Sequence, residues 1–188
     1  MNFKFEKTYI EGLVIITGKY FGDSRGYFGE FYHKDNFVDN GIKSNFIQDN
    51  HSKSSKGTIR GLHFQSKFAQ DKLVSVIAGS VLDVAVDLRK ESPTFGKYFS
   101  IELNEDNKKM FFIPNRFAHG FIALEDNTHL FYKVSEYFHA EYDTGIKWND
   151  TTLNIDWKLD QYGINKPIIS DKDSKLPLFN LEKNYFEE

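Results

Sequence analysis

Residues 72–88 read KLVSVIA, then Gly79-Ser80, then VLDVAVDL: two short β-branched runs with only two residues between them. Neither run is long enough for a stable helix, and valine and isoleucine favour the pleated chain, so both read as strands around a tight hairpin turn. The same rhythm continues. KYFSIEL and KKMFFIP flank the polar turn Asn104–Asn107, and GFIAL and THLFYKVSEY flank Glu125–Asn127, which predicts two more hairpins and six strands between residues 72 and 137. GLVIITGKY, YFGEFYH, FIQDNHS and TIRGLHFQ precede them, giving about ten strands at the 8 to 12 residue spacing of sandwiches and barrels. With 19 Phe and 10 Tyr against four Pro, composition supports an all-β double-sheet jelly roll.

Helix is scarce: KDNFVDNGI, residues 34–42, predicts a turn or two ending at Gly41, and the chain beyond Trp157 reads as irregular. The segment from Asp171 onward is charged, yet Leu176, Leu178, Phe179, Leu181, Tyr185 and Phe186 make it too apolar to hang free, so it is expected to pack on the body. A chain of 188 residues suits one domain, taken as 1–188. A net charge of -3 offers no basic field for nucleic acid or an anionic membrane. The absence of cysteine removes disulfides, thiolate metal sites and a cysteine nucleophile, and fits a reducing compartment. No stretch reaches the roughly 18 apolar residues of a membrane span, and the N-terminus does not read as a signal peptide. A soluble, unprocessed, cytoplasmic chain is expected.

Chemistry concentrates in a few stretches. In TIRGLHFQ, strand alternation puts Gly61, His63 and Gln65 on one face and Leu62 and Phe64 on the other. His63 then either points away from the layer between sheets or lines a barrel mouth, and the pattern does not choose. Arg60 has the opposite parity, so it joins His63 in one pocket only if the strand bulges at Gly61. IPNRFAHGF delivers His119 where a strand begins, and FYKVSEYF carries Tyr132, either a packed ring or a proton donor. In VLDVAVDL, Asp83 and Asp87 share a face, and a water-facing placement is favoured over burial. In DSRGYFGE, Arg25 and Glu30 suggest a salt bridge. No H-x-H pair, G-x-S-x-G elbow, Walker loop or G-x-G-x-x-G fingerprint occurs, so a metal centre, serine chemistry and P-loop hydrolysis are not expected.

Set in order, DSRGYFGE, FIQDNHSKSSKGTIRGLHFQ, QDKLVSVIAGSVLDVAVDLRKESPTFGKY, IPNRFAHGF, FYKVSEYF, IKWNDTTLNIDW and ISDKD resemble the dTDP-4-dehydrorhamnose 3,5-epimerase family from about residue 8 to 175. The resemblance implies a cupin-type jelly roll (double-stranded β-helix), a homodimer, no metal or other cofactor, and a dTDP-linked 4-keto-6-deoxy sugar as substrate. It implies His63 as base, Asp173 orienting it, Tyr132 as acid on the other sugar face and Lys72 stabilising the enolate oxygen. Unperturbed histidine titrates near neutrality, which suits a base. The resemblance places Arg25, Phe28, Glu30, Gln48, Asn50, Arg60, His119, Phe138, Asp143 and Lys172 in substrate binding, Arg25 and Glu30 in the partner subunit's site. Phe138 stands where the family's thymine-stacking aromatic, often Tyr, is expected, with Tyr137 as the alternative; Asp143 stands where glutamate is common. Single-centre epimerases and 3,4-ketoisomerases share this proton chemistry, so the residues do not separate them.

Overall fold

The computed structural model describes residues 2–186. Among the described residues lie thirteen strands: β1 Phe3–Lys7, β2 Val14–Gly18, β3 Tyr20–Asp23, β4 Gly26–Gly29, β5 Gln48–Ser54, β6 Ile59–Gln65, β7 Lys72–Ala78, β8 Ser80–Asp87, β9 Tyr98–Asn104, β10 Lys109–Ile113, β11 Phe117–Ala123, β12 Thr128–Val134 and β13 Asp143–Gly145. Two short helices, α1 Lys34–Asp39 and α2 Asp171–Ser174, complete it. One sheet has the order β1-β2-β10-β7-β12-β5 and the other β13-β6-β11-β8-β9, with β3 and β4 forming a separate ribbon. Every pairing between named strands is antiparallel. Among the described residues no helix is long and apolar enough to cross a membrane.

The strand segments between residues 72 and 137 lie close to where the sequence put them, except that β11 begins at Phe117 and so carries His119 within the strand, not where it starts; none of the three expected hairpins forms. β7 pairs with β10 and β12, β8 with β9 and β11, so each tight turn carries the chain from one sheet to the other. A turn is local, whereas the choice of partner is made by the face each strand must bury. Passing back and forth between sheets is what builds a jelly roll.

Three apolar layers result. Between the sheets, Val74, Val76, Phe111 and Leu130 meet Val81, Ala85, Phe117 and Phe121. Outside the five-stranded sheet, Leu62, Phe64, Val84 and Ile122 are covered by Leu153, Trp157, Phe179, Tyr185 and Phe186. Outside the six-stranded sheet, Leu73, Met110 and Phe112 lie beneath Phe37 of α1 and Ile42. The C-terminal segment is therefore docked, with Phe179 stacked on Tyr185 at 5.7 Å, although Leu178 and Leu181 stay exposed.

Covering both faces of β8 overturns the surface placement of its aspartates: all eight of its residues are buried. Asp87 is satisfied by Arg89 (Nε 2.8 Å, Nη2 2.7 Å), Ser92 Oγ at 2.7 Å and Thr94 Oγ1 at 2.7 Å, which pin the loop leaving the strand. Alternation on β8 separates two buried layers, not core from water.

β6 is bulged. His119 pairs with His63 and Phe121 with Arg60, so three steps on β6 match two on β11. Gly61 has φ +120°, and a Cβ there would lie 2.6 Å from Gly120 Cα and 2.7 Å from His119 O. The bulge cancels the parity difference and turns Arg60 and His63 to one side. Gly61→Ala should cost at least about 3 kcal/mol, since neither backbone has room to retreat. A thermal melt should show Tm lowered by roughly 6–12 °C.

Candidate active site

The mouth between the sheets opens into a cavity of about 510 Å³ lined by Arg60, His63, Lys72, His119, Tyr132 and Asp173, among others. Its walls come from opposite sheets. β6 and β11 bring Arg60, His63 and His119; β7 and β12 bring Lys72 and Tyr132, which share a face because Tyr132 pairs with Val74 and Val134 with Lys72. Leu62 and Phe64 face the C-terminal layer, so His63 lines the barrel mouth and not an outer surface.

His63 Nε2 donates to Asp173 Oδ1 at 2.8 Å, leaving Nδ1 as the second ring nitrogen. Asp173 is buried, and its other oxygen accepts from the Gly61 N–H at 3.1 Å. Burial pushes this carboxyl up, but bonds from His63, Gly61 and Ser170 outweigh it and hold the group below its ordinary range. α2 supplies the geometry: Ser170 caps it by accepting from the Asp173 N–H at 3.0 Å. The chain beyond Trp157 was expected to be irregular; the serine three residues before an acidic residue is the capping signal that marks this single turn.

Burial lowers the Lys72 ammonium from 10.5 to about 8, against the opposite pull of Asp71 and Asp143. The Tyr132 phenol is raised, chiefly by burial, with Arg60 opposing and Asp143 adding. It therefore keeps its proton at neutral pH.

A smaller adjoining space, about 240 Å³, shares His63, Lys72, Tyr132 and Lys172 with the main cavity and adds Gln48, Asn50, Phe138 and Asp143. Gln48 Nε2 donates to Asn50 Oδ1 at 2.9 Å, and Gln48 Oε1 accepts from the Phe138 N–H at 3.2 Å. Lys172 and Asp143 form an ion pair across its rim. Phe138 lines this space with an exposed ring, whereas Tyr137 lines neither.

Three of the expected residues stand apart. Arg25 pairs with Asp23 at 2.6 Å and Glu30 accepts from Asn2 Nδ2 at 2.8 Å, so the expected Arg25–Glu30 bridge is absent; the nearer partner in the β3–β4 turn wins. Phe28 is 74% exposed on the same ribbon. Sequence reasoning missed Asp83 as a partner of His119, because a strand aspartate reads as solvent-facing unless both faces of its strand are known to be covered. No three His, Asp or Glu side chains converge as a metal site among the described residues.

Residues 7–180 match the family model described as dTDP-4-dehydrorhamnose 3,5-epimerase. The chain belongs to this family. The dTDP-4-dehydrorhamnose 3,5-epimerase of Methanothermobacter thermautotrophicus is 47% identical over 172 residues, 92% of each chain. The crystal structure of the Legionella pneumophila dTDP-6-deoxy-D-glucose-3,5-epimerase in complex with dTDP-4-keto-L-rhamnose superposes with TM-score 0.91 at 43% identity, covering 96% of this chain and 95% of that one. ChmJ, a 3'-monoepimerase from Streptomyces bikiniensis in complex with dTDP-quinovose, superposes with TM-score 0.84 at 25% identity, covering 92% and 86%. The fold is thus the cupin-type jelly roll of a family of isomerases.

The depressed carboxyl of Asp173 makes stability depend on pH. An unfolded Asp titrates near about 3.9, so the contribution of Asp173 is complete above that value and lost as pH falls through the lower folded value. Urea unfolding of Asp173→Asn should show lower stability than the parent chain at pH 7, and a narrowing gap below about pH 4.

Proposed function

We propose that the chain epimerises dTDP-4-dehydro-6-deoxy-D-glucose at C3 and C5, giving dTDP-4-dehydro-L-rhamnose, as the names of its relatives indicate. The observation that carries this reading is the placement of His63 and Tyr132 on opposite sheets across one cavity, with Lys72 beside Tyr132. Inverting a carbon next to a carbonyl requires a proton to leave one face and another to arrive on the opposite face. His63, its Nε2 held by Asp173, takes the C–H proton on Nδ1. The electrons move to the C4 oxygen as an enolate, which the Lys72 ammonium stabilises. Tyr132, kept protonated by burial, then donates from the other side; His63 gives up its proton to solvent and Tyr132 regains one from it before a second cycle inverts the second centre.

Gln48, Asn50, Arg60, His119, Phe138, Asp143 and Lys172 bind the nucleotide and sugar in this reading. Arg60 and Lys172 suit the diphosphate, and the phenyl ring of Phe138 stacks on thymine. Arg25, Phe28 and Glu30, lying away from this chain's cavity, serve the other subunit's site in a homodimer. The reaction proceeds in the cytoplasm without a metal or other cofactor.

Incubating the parent chain with dTDP-4-keto-6-deoxyglucose in deuterated water, followed by proton NMR, tests the reading. Deuterium at C3 and C5 of an L-configured product supports it. Incorporation at one carbon would instead make the chain a single-centre enzyme like ChmJ, and migration of the keto group a 3,4-ketoisomerase. The Lys72 ammonium sets the alkaline limit: kcat/KM should fall as pH rises through about 8. In Lys72→Arg, whose guanidinium stays charged, that limb should disappear from the profile below pH about 10. An unchanged profile in this variant would remove Lys72 from the role.

A further inference from the structure

Asp83 is a fully buried carboxylate that the mechanism above does not use. Its side chain lies at 0% exposure inside the barrel, on the face of β8 that also carries Val81 and Ala85. Both of its oxygens reach one atom, His119 Nε2, at 3.0 Å and 2.9 Å, and among the described residues this is the side chain's only hydrogen-bond partner. β8 and β11 are paired so that Ala85 stands opposite His119 and Asp83 opposite Phe121, which makes Asp83 the diagonal neighbour of His119. His119 in turn stands opposite His63 on β6. Two imidazoles thus sit side by side on the cavity wall, each tied through Nε2 to a buried aspartate.

A carboxylate is a poor choice for filling this position. The surrounding layer is apolar, and an apolar side chain of similar size would pack there without the cost of removing a charge from water. What the carboxylate does supply is direction. It accepts only, so Nε2 must carry the proton it binds, and the ring is locked in tautomer and rotation. His119 Nδ1 makes no hydrogen bond among the described residues, and the ring lines the cavity.

We propose that Asp83 is a positioning residue acting through His119: it fixes the imidazole so that Nδ1 is presented to an oxygen of the bound nucleotide-linked sugar. The inference rests on the epimerase reading for its substrate, and extends that reading to a residue behind the cavity wall. Asp83→Asn preserves volume but offers either an oxygen or an NH₂ group to Nε2, so it releases the tautomer while keeping the packing.

Three chains, Asp83→Asn, His119→Ala and the double variant, should be compared with the parent by steady-state kinetics, thermal melting and long-range proton–nitrogen NMR of the histidine rings. Asp83→Asn is expected to melt within a few degrees of the parent while kcat/KM falls on the order of 10- to 100-fold, the size of effect found when the group orienting a functional imidazole is removed. In the His119→Ala background the same change should have no further effect on kcat/KM, because its whole influence passes through the ring. In the parent, the His119 nitrogen spectrum should show a proton on Nε2, and Asp83→Asn should disturb that pattern.

A full-sized loss repeated in the His119→Ala background would overturn the inference. So would a variant altered only in melting temperature, or a parent His119 protonated on Nδ1 alone. The last result needs no variant and so decides the matter even if Asp83→Asn fails to fold. Failure of the epimerase reading would show separately, as a parent chain without turnover, while the nitrogen spectra still report whether Asp83 sets the ring.

Discussion

At the point where β6 crosses β11, Gly61 and Gly120 lie back to back with no room for a side chain on either. That contact lets β6 carry one residue more than its partner, and the extra residue turns Arg60 toward the cavity that His63 already faces. The same glycine points its N–H at Asp173, so the distortion that gathers the two cationic or titratable side chains also helps hold the carboxylate that orients one of them. Fold and chemistry meet in a few backbone atoms. The one-turn helix α2 and the docked C-terminal segment both pack against β6.

Around that point, the barrel divides into an apolar body and a polar mouth. The body excludes water through Val74, Phe111, Phe117 and Leu130. The mouth then places its ionisable groups in a setting where burial, more than neighbouring charge, dictates their state. Tyr132 keeps its proton and Lys72 is poised near its own titration, both chiefly because they are desolvated. The aspartates behave differently: Asp173 stays charged because donors surround it, and Asp87 because Arg89, Ser92 and Thr94 do. A single low-dielectric interior thus holds a protonated phenol on one wall and an aspartate-tied imidazole on the other, each carried by its own sheet.

Strand positions were legible in the sequence because apolar runs and turn residues are local signals, and the segments from Lys72 to Val134 fall close to where those signals put them. Strand partners were not. The breaks after Ala78, Asn104 and Ala123 look like hairpin turns, yet each leads into the opposite sheet, a choice made by long-range burial. The convergence of Arg60 and His63 was readable as a condition, a bulge at Gly61, and the backbone meets it. Asp83 and Asp87 were misplaced because period-two alternation says which residues share a face and nothing about what covers it. The C-terminal segment was legible from its apolar content, although Leu178 and Leu181 remain outside the contact. For the site, resemblance contributed more than pattern: no spacing rule joins His63 to Asp173, 110 residues later, which the structure brings to 2.8 Å.

In the proposed reaction, the two walls of the cavity perform opposite halves of one proton transfer. The most direct test follows hydrogen exchange in deuterated water for Tyr132→Phe beside His63→Ala. Tyr132→Phe should still exchange the sugar's C3 or C5 hydrogen through His63 but return it without inversion, whereas His63→Ala should exchange nothing. Exchange retained by His63→Ala and lost in Tyr132→Phe, or inversion at the parent's rate by either variant, would contradict that reaction.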